Sequence, residues 1–288
     1  MEQPKFEKSV SFAQAHIVPG KYRNLKNIPH WHEEHELVFV QSGCAAVMCS
    51  GEIFPLSAGD STFLHSEDVH SISAEPGAIL LVAKIDADYL HKIIGAKKLC
   101  SPLLARDYAL GDVFAELFAE IKAADAYSGI IADSIVTRLA AQIFRGERLE
   151  DAESAPNATT EKYKELLDLI AKNYAYITFD DAAEFMHFSK PYFSRFFYHH
   201  AGMTFTRYLN MIKISYAAQM VIEGSMTVTE ISQRCGFNTI RNFNRVFKEM
   251  TGYSPHALPA NYNFVCKVKE YTDSGFDPTL SCTEILEP

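Results

Sequence analysis

The sequence predicts an α+β multidomain chain, with a strand-rich N-terminal half, an appended pair of helices and an all-α C-terminal half. Three observations carry that prediction. The first hundred residues hold short apolar runs punctuated by turn residues, the apolar period becomes helical from Asp107, and two later segments echo one another at an offset of fifty residues. At 288 residues the chain also exceeds what one hydrophobic core usually organises, so two cores are expected.

In residues 1 to about 100, the runs ELVFVQSG, CAAVMCSGEIFPLSAGD, STFLHSEDVHSISAEPG and AILLVAKID read as strands of about five residues separated by Gly, Pro, Ser and Asp. Strands spaced so regularly favour a barrel or sandwich. Val113, Leu117 and Ile121 then recur at four-residue steps, as do Ile131, Ile135, Leu139 and Ile143, which predicts two amphipathic helices joined near AYSG. Their apolar face has two places to go, the chain's own barrel or a second subunit. The first domain, with its helical segment at about 107–145, is placed at 1–145. Residues 146–160, GERLEDAESAPNATT, are polar, acidic and without periodicity, as an interdomain linker would be. Residues 161–262 are helical in pattern, and 263–288 read as a weakly structured acidic tail.

Composition narrows the classes. A hydrophobic fraction of 48% excludes a disordered chain. The best apolar run, AILLVAKI from Ala78, is broken by Lys84 and Asp86, far short of the roughly 20 residues that cross a bilayer. MEQPKFEKSVSF lacks an apolar signal core. Six cysteines, at 44, 49, 100, 235, 266 and 282, make no CxxC pair and no disulfide framework, so reduced thiols and a cytoplasmic location are expected. The NAT triplet at Asn157 then carries no meaning as a glycosylation site. The net charge of −9 divides unevenly: residues 1–157 hold 14 Lys and Arg against 22 Asp and Glu, 158–262 hold 11 against 9, and the tail holds 2 against 5. Only the helical part is positive. No phosphate-binding glycine loop or nucleophile elbow is present.

The echo joins SKPYFSRFFYHHAGMTFTRYL from Ser189 to TIRNFNRVFKEMTGYSPHAL from Thr239, aligning Phe193, Arg195, Phe197 and Gly202 with Phe243, Arg245, Phe247 and Gly252. At about 100° per residue the two phenylalanines of each unit share a core-facing side, and the arginine between them points roughly 200° away, outward. A shorter amphipathic helix precedes each unit. FDDAAEFMHFS offers Asp180 or Asp181 as N-cap, and Thr227 to Glu230 makes a capping box. Ser189 and Pro191 open the first recognition helix, while Gly236 closes the helix before the second. Helix, short turn and helix with an outward basic residue is the helix-turn-helix layout, whose second helix enters the DNA major groove.

TVTEISQRCGFNTIRNFNRVFKEMTGYSPHAL resembles the signature of AraC/XylS-type transcription regulators, with Ile231, Gly236, Phe237, Phe243, Arg245, Phe247, Lys248, Gly252 and Pro255 all matching. The resemblance covers about a hundred residues, and RYLNMIKISYAAQMVIEG (207–224) is similar to the long helix that joins the family's two units. Ser232 replaces the usual Ala, Lys213 a commoner Arg, and Pro191 falls within the first recognition helix. Helical position and resemblance together nominate Lys190, Tyr192, Ser194 and Arg195 in the first unit, and Ile240, Arg241, Asn244 and Arg245 in the second, as DNA-facing. Arg and Asn suit guanine and adenine edges, whereas Lys190 and Lys248 suit phosphates. Structural ion pairs are the alternative for Arg195 and Arg245. The resemblance further implies double-stranded promoter or operator DNA as partner, a homodimer, and activation together with RNA polymerase.

In PHWHEEHELVFVQSG, His30, His32 and Glu36 share strand parity, and His35 takes the opposite face. The spacing H-x-H-x-x-x-E, then six residues to Gly43, resembles the first cupin motif, and GDSTFLHSEDVH (59–70) resembles a second with His70 in the histidine position. That implies a cupin-like β-barrel over about residues 10–100, a common sensor domain in AraC-type regulators. His30, His32, Glu36 and His70 suit Zn, Mn, Fe or Ni by ligand type. Three readings stay open: a divalent metal, direct contact with a small-molecule effector such as a sugar, or a structural network. A metal-dependent cupin enzyme fused to a DNA-binding module is the alternative function, against which the intact DNA-binding half favours a sensor with no enzymatic role. His199 and His200 end the first recognition helix, where they suit its dipole.

Overall fold

The computed structural model describes residues 15–151, 158–259, 262 and 283–287. The segment MEQPKFEKSVSF, Asn157 and residues 263–282 of the tail lie outside these. The front half is built from strands β1 (Ile17–Arg23), β2 (His35–Ser42), β3 (Cys44–Cys49), β4 (Glu52–Ser57), β5 (Ser61–Leu64), β6 (His70–Ala74) and β7 (Ile79–Ile85). Strands β5, β2, β7 and β1 pair antiparallel in that order, and β4, β3 and β6 form a second sheet.

The run ILLVAKI is apolar because β7 is covered on both faces. Leu80 and Val82, with Val38 and Val40 of β2, face Val47, Leu56 and Ile72 of the second sheet. Leu81, Ala83 and Ile85, with Leu37, face a layer of helices. Each such side chain contributes roughly 1.5–3 kcal/mol on burial, so a doubly covered strand needs a continuous apolar run where a half-exposed one alternates. Gly43 closes the β2–β3 hairpin at φ +80°, where a Cβ would approach Ala78 to 2.8 Å.

Helix α1 (Ala87–Ile94) follows β7, its N-terminus capped by Asp86, which accepts from the Tyr89 amide at 2.7 Å. The sequence reading did not foresee it. After the short strand β8 (Lys97–Leu99) come the two expected helices, α2 (Leu110–Ala123) and α3 (Ser128–Gly146). Of the two places open to them they take their own barrel: Val113, Phe114, Leu117, Ile135, Val136, Leu139 and Ile143 bury against the first sheet. The linker begins later than 146. Leu149–Asp151 form strand β9 against β8, and within 146–160 only residues 152–157 lie outside the described structure.

Helix α4 (Ala158–Asn173) opens the C-terminal half, followed by α5 (Phe179–Phe185), α6 (Lys190–Ala201), α7 (Phe205–Glu223), α8 (Val228–Arg234) and α9 (Ile240–Thr251). The N-cap of α5 is Thr178, with Asp181 as its reciprocal partner; neither Asp180 nor Asp181 is itself the cap. Their places inside the first turn still suit the helix dipole. Thr227 and Glu230 form the predicted box on α8. Helix α7 is shared: Phe205, Tyr208, Leu209 and Ile212 join the core of α4, α5 and α6, and Ile214, Ala217 and Ala218 join that of α8 and α9. The described end of the tail is a strand, β10 (Glu284–Glu287), paired antiparallel with β1 and tied by Glu284 to Arg23 at 2.9 Å. Four residues with two unpaired edges have no alternation signal of their own, and the open edge of β1 supplies the pairing. Among the described residues, no helix is long and apolar enough to cross a membrane.

Candidate functional site

His30, His32, Glu36 and His70 converge inside the barrel, each offering one ligating atom within 4.8 Å of the others. All four side chains are buried. Glu36 comes from β2 and His70 from β6, and an antiparallel bridge pairs His30 with His70. A backbone carbonyl accepts from Nδ1 of each imidazole: Ile28 O for His30 at 2.8 Å, Glu34 O for His32 at 2.9 Å, and Asp68 O for His70 at 2.8 Å. That fixes the tautomer and leaves Nε2 of every ring for the centre. There His32 Nε2 lies 2.8 Å and His70 Nε2 3.4 Å from Glu36 Oε2. Burial alone would raise the Glu36 pKa, yet the hydrogen bonds and charge of His32 and His70 hold it well below the usual carboxylate range. Burial alone would lower His70, and Glu36 raises it instead. The centre therefore favours a carboxylate matched by positive charge. Cys49 is not among the four groups that converge, and burial pushes its thiol up to about 12.

His35 faces the opposite way, as its parity requires, and meets His65, which the sequence reading passed over although Phe63 and His65 share a parity. His35 Nδ1 accepts from the Ser66 amide at 3.0 Å and His65 Nε2 from the Leu99 amide at 2.9 Å. Burial lowers their pKa values to about 4 and about 3, so both are neutral hydrogen-bonding members of the helix-facing layer. They floor an open cleft of about 690 Å³ with Glu33, Asp86, His91 and Lys98 around it.

The two helix-turn-helix units place their phenylalanines as expected, with Phe193, Phe197, Phe243 and Phe247 fully buried. Lys190, Tyr192, Ser194, Arg195, Ile240, Arg241, Asn244, Arg245 and Lys248 are all exposed. Lys190 pairs with Asp180 at 2.7 Å, and Tyr192 packs its ring against Phe188 at 4.6 Å between centroids. Ser194 and Arg195 line a cleft of about 570 Å³ shared with Met48, Gly51 and Ile53 of the β3–β4 hairpin. No carboxylate among the described residues pairs with Arg195. Arg245 does form the structural ion pair, to Glu249 at 3.0 Å, and a hydrogen bond to Asn242 at 3.0 Å. Pro191 sits in the first turn of α6, where a missing amide hydrogen costs nothing. The sequence reading also missed the task of Lys213: its buried ammonium donates to Gly236 O at 2.9 Å and lies 5.5 Å from the Phe237 ring, fastening α7 to the second turn.

Two protein families match this chain in the same order as its two halves. The family described as AraC-like ligand binding domain matches residues 20–140, and the helix-turn-helix domain family matches residues 182–260. The HTH-type transcriptional activator RhaR of Cronobacter sakazakii is 25% identical over 260 residues, covering 83% of this chain and 89% of that protein. The protein of the same name from Escherichia coli K12 is 22% identical over 254 residues, covering 84% and 90%. A crystal structure of ToxT from Vibrio cholerae is similar over 86% of this chain and 96% of that one, with a TM-score of 0.45 and 13% identity. With a ligand-binding barrel matched in front and a double helix-turn-helix half behind it, the chain belongs to the AraC family of transcription regulators.

Proposed function

We propose that this protein is a cytoplasmic transcription activator whose hold on promoter DNA is set by a small molecule reaching His30, His32, Glu36 and His70 in the barrel. The observation that carries the reading is the convergence of these four buried groups in the same chain as two exposed recognition helices. The relatives named as transcriptional activators, aligned over most of this chain, support activation and recruitment of RNA polymerase. Exposed Tyr127, Ile130 and Ile131 at the start of α3 support a homodimer, which sedimentation of the full chain tests. For the central reading, duplexes are selected from a random pool on the full chain, and their Kd is measured with and without candidate sugars and divalent cations. A shift of tenfold or more with one of them is expected; no shift that depends on these four residues would sink the reading.

A divalent cation has specific support. With each Nδ1 engaged by a carbonyl, three Nε2 lone pairs and a carboxylate oxygen would repel one another unless a cation or extra protons sat among them. The expected result is about one equivalent of first-row metal retained by the wild type and lost in His32→Ala and Glu36→Gln. Retention by both variants would exclude the site. The enzyme alternative predicts turnover of a small substrate by the metal-loaded protein; the sensor predicts ligand-dependent DNA binding without it.

A further inference from the structure

The barrel site and the DNA-binding half are separated by a single layer of backbone. In the segment Ile28 to His32, His30 and His32 point into the site, whereas Ile28 and Trp31 belong to the core built by α4, α5, α6 and α7. Its bridge partner is divided in the same way, with His70 in the site and Val69 in that helical core. The two segments are joined by reciprocal backbone bonds, His30 N to His70 O at 3.0 Å and His70 N to His30 O at 2.9 Å.

Polar contacts fasten the far side of this layer to particular helices. The buried Tyr208 hydroxyl of α7 donates to Pro29 O at 3.0 Å, one residue from His30. Lys164 of α4, itself buried, donates to Glu67 at 3.0 Å and places its ammonium 5.4 Å from the centre of the Trp31 ring. The Glu67 amide in turn donates to His32 O at 2.8 Å. The carbonyls of Ile28 and Asp68, which hold the rings of His30 and His70, belong to the same two segments. The rings of His30 and His70 are thus hydrogen-bonded to the same two segments that α7 and α4 contact on the far side. Helix α6 shares the core of both.

We propose that occupancy of the His30, His32, Glu36 and His70 site is transmitted to the first helix-turn-helix unit through this layer, with Tyr208 and Lys164 as its positioning residues. The inference rests on the site reading above. An occupant that fixes the three rings fixes the two peptide segments, and these set the seats of α7 and α4 on which α6 is carried. Coupling of this kind is reciprocal, so DNA on the first unit tightens the site by the factor with which the occupant tightens DNA.

The chain holds one tryptophan, Trp31, and it stands in the layer itself. The test titrates Zn²⁺ into the full chain and follows stoichiometry, Trp31 emission and amide hydrogen exchange. Wild-type protein is expected to bind one equivalent, change its Trp31 emission, and slow exchange in α4 and α7 several-fold. Tyr208→Phe and Lys164→Met keep all four site residues. They are expected to bind Zn²⁺ within about twofold of wild type while losing most of the Zn²⁺-dependent slowing. A purely structural role would lower the melting temperature of these variants and leave the Zn²⁺-dependent difference intact, which overturns the proposal. Zn²⁺ binding with unchanged exchange in wild-type α4 and α7 overturns the coupling alone. No binding, or binding that survives in His32→Ala, overturns the site reading, and the coupling falls with it.

Discussion

In the first helix-turn-helix unit the turn between α5 and α6 runs from Met186 to Ser189, and in the second the turn between α8 and α9 runs from Cys235 to Thr239, one residue longer. The left-handed position after each short helix is His187 at φ +57° in one and Gly236 at φ +69° in the other. The first unit shares its core with Ile28 and Val69 of the barrel, and its recognition helix meets the β3–β4 hairpin, where a Cβ at Gly51 would come within 2.8 Å of His199 Nε2. The core of the second unit contains no barrel residue among those described, and Ile240, Arg241, Asn244 and Lys248 face outward. Duplication supplied two readers with one packing plan. Under the coupling proposed above, contact with the barrel would make the first the regulated reader and leave the second as the standing one.

The contrast breaks most sharply at the cores. Phe193→Ala and Phe243→Ala should each cost about 3–5 kcal/mol. Chemical unfolding followed by Trp31 emission should register the first, because Trp31 packs in that core, and register the second weakly. Equal responses would mean that the units unfold as one. The turns should respond with opposite signs. A Cβ at Gly236 would lie 1.8 Å from Ala175 O, so Gly236→Ala should lower stability by more than the roughly 1–2 kcal/mol of the left-handed conformation alone, whereas His187→Gly should be neutral or stabilising in thermal melts.

On DNA, Arg241→Ala and Asn244→Ala should weaken a selected duplex by about 1–3 kcal/mol each, roughly fivefold to 150-fold. Arg195→Ala should cost less until the barrel site is occupied; gel shifts with equal losses would remove the distinction between standing and regulated units. Lys248→Ala should reduce the salt slope by about one and weaken all sequences alike. The capping boxes should give the smallest difference. Thr178→Ala and Thr227→Ala should each cost about 1 kcal/mol. Thr178 holds Asp181, and Thr227 holds Glu230, below the ordinary carboxylate range. A depressed folded pKa stabilises above the unfolded value and is lost as pH falls through the folded one, so acid melts should weaken both units in step.

Much of this was legible in the chain. The FxRxF repeat, the Thr227 box and the four-residue periods of α2 and α3 are local signals, fixed by helical geometry before any packing. The opposite facing of His35 and Glu36 was legible for the same reason, since a strand alternates by construction, whereas His30 and His32 precede β2 and reach the centre from outside that strand. Other features had no local signal. Helix α1 is a single short amphipathic stretch that forms because Leu90 finds the helix layer. Strand β10 needs the edge of β1, Lys213 reads as an ordinary helix lysine until α8 ends above it, and Arg245 pairs with Glu249 although its register matches that of Arg195.

The sequence alone determined the two-part architecture, the doubled recognition helices and the candidate set of three imidazoles and one carboxylate, because periodicity and residue chemistry act over a few neighbours. Tertiary structure decided which carbonyl fixes each ring, that one backbone layer serves both the site and the helices, and that the barrel touches one reader and spares the other. Those are contacts between residues far apart in the chain, such as Pro29 and Tyr208, and no short-range pattern encodes them.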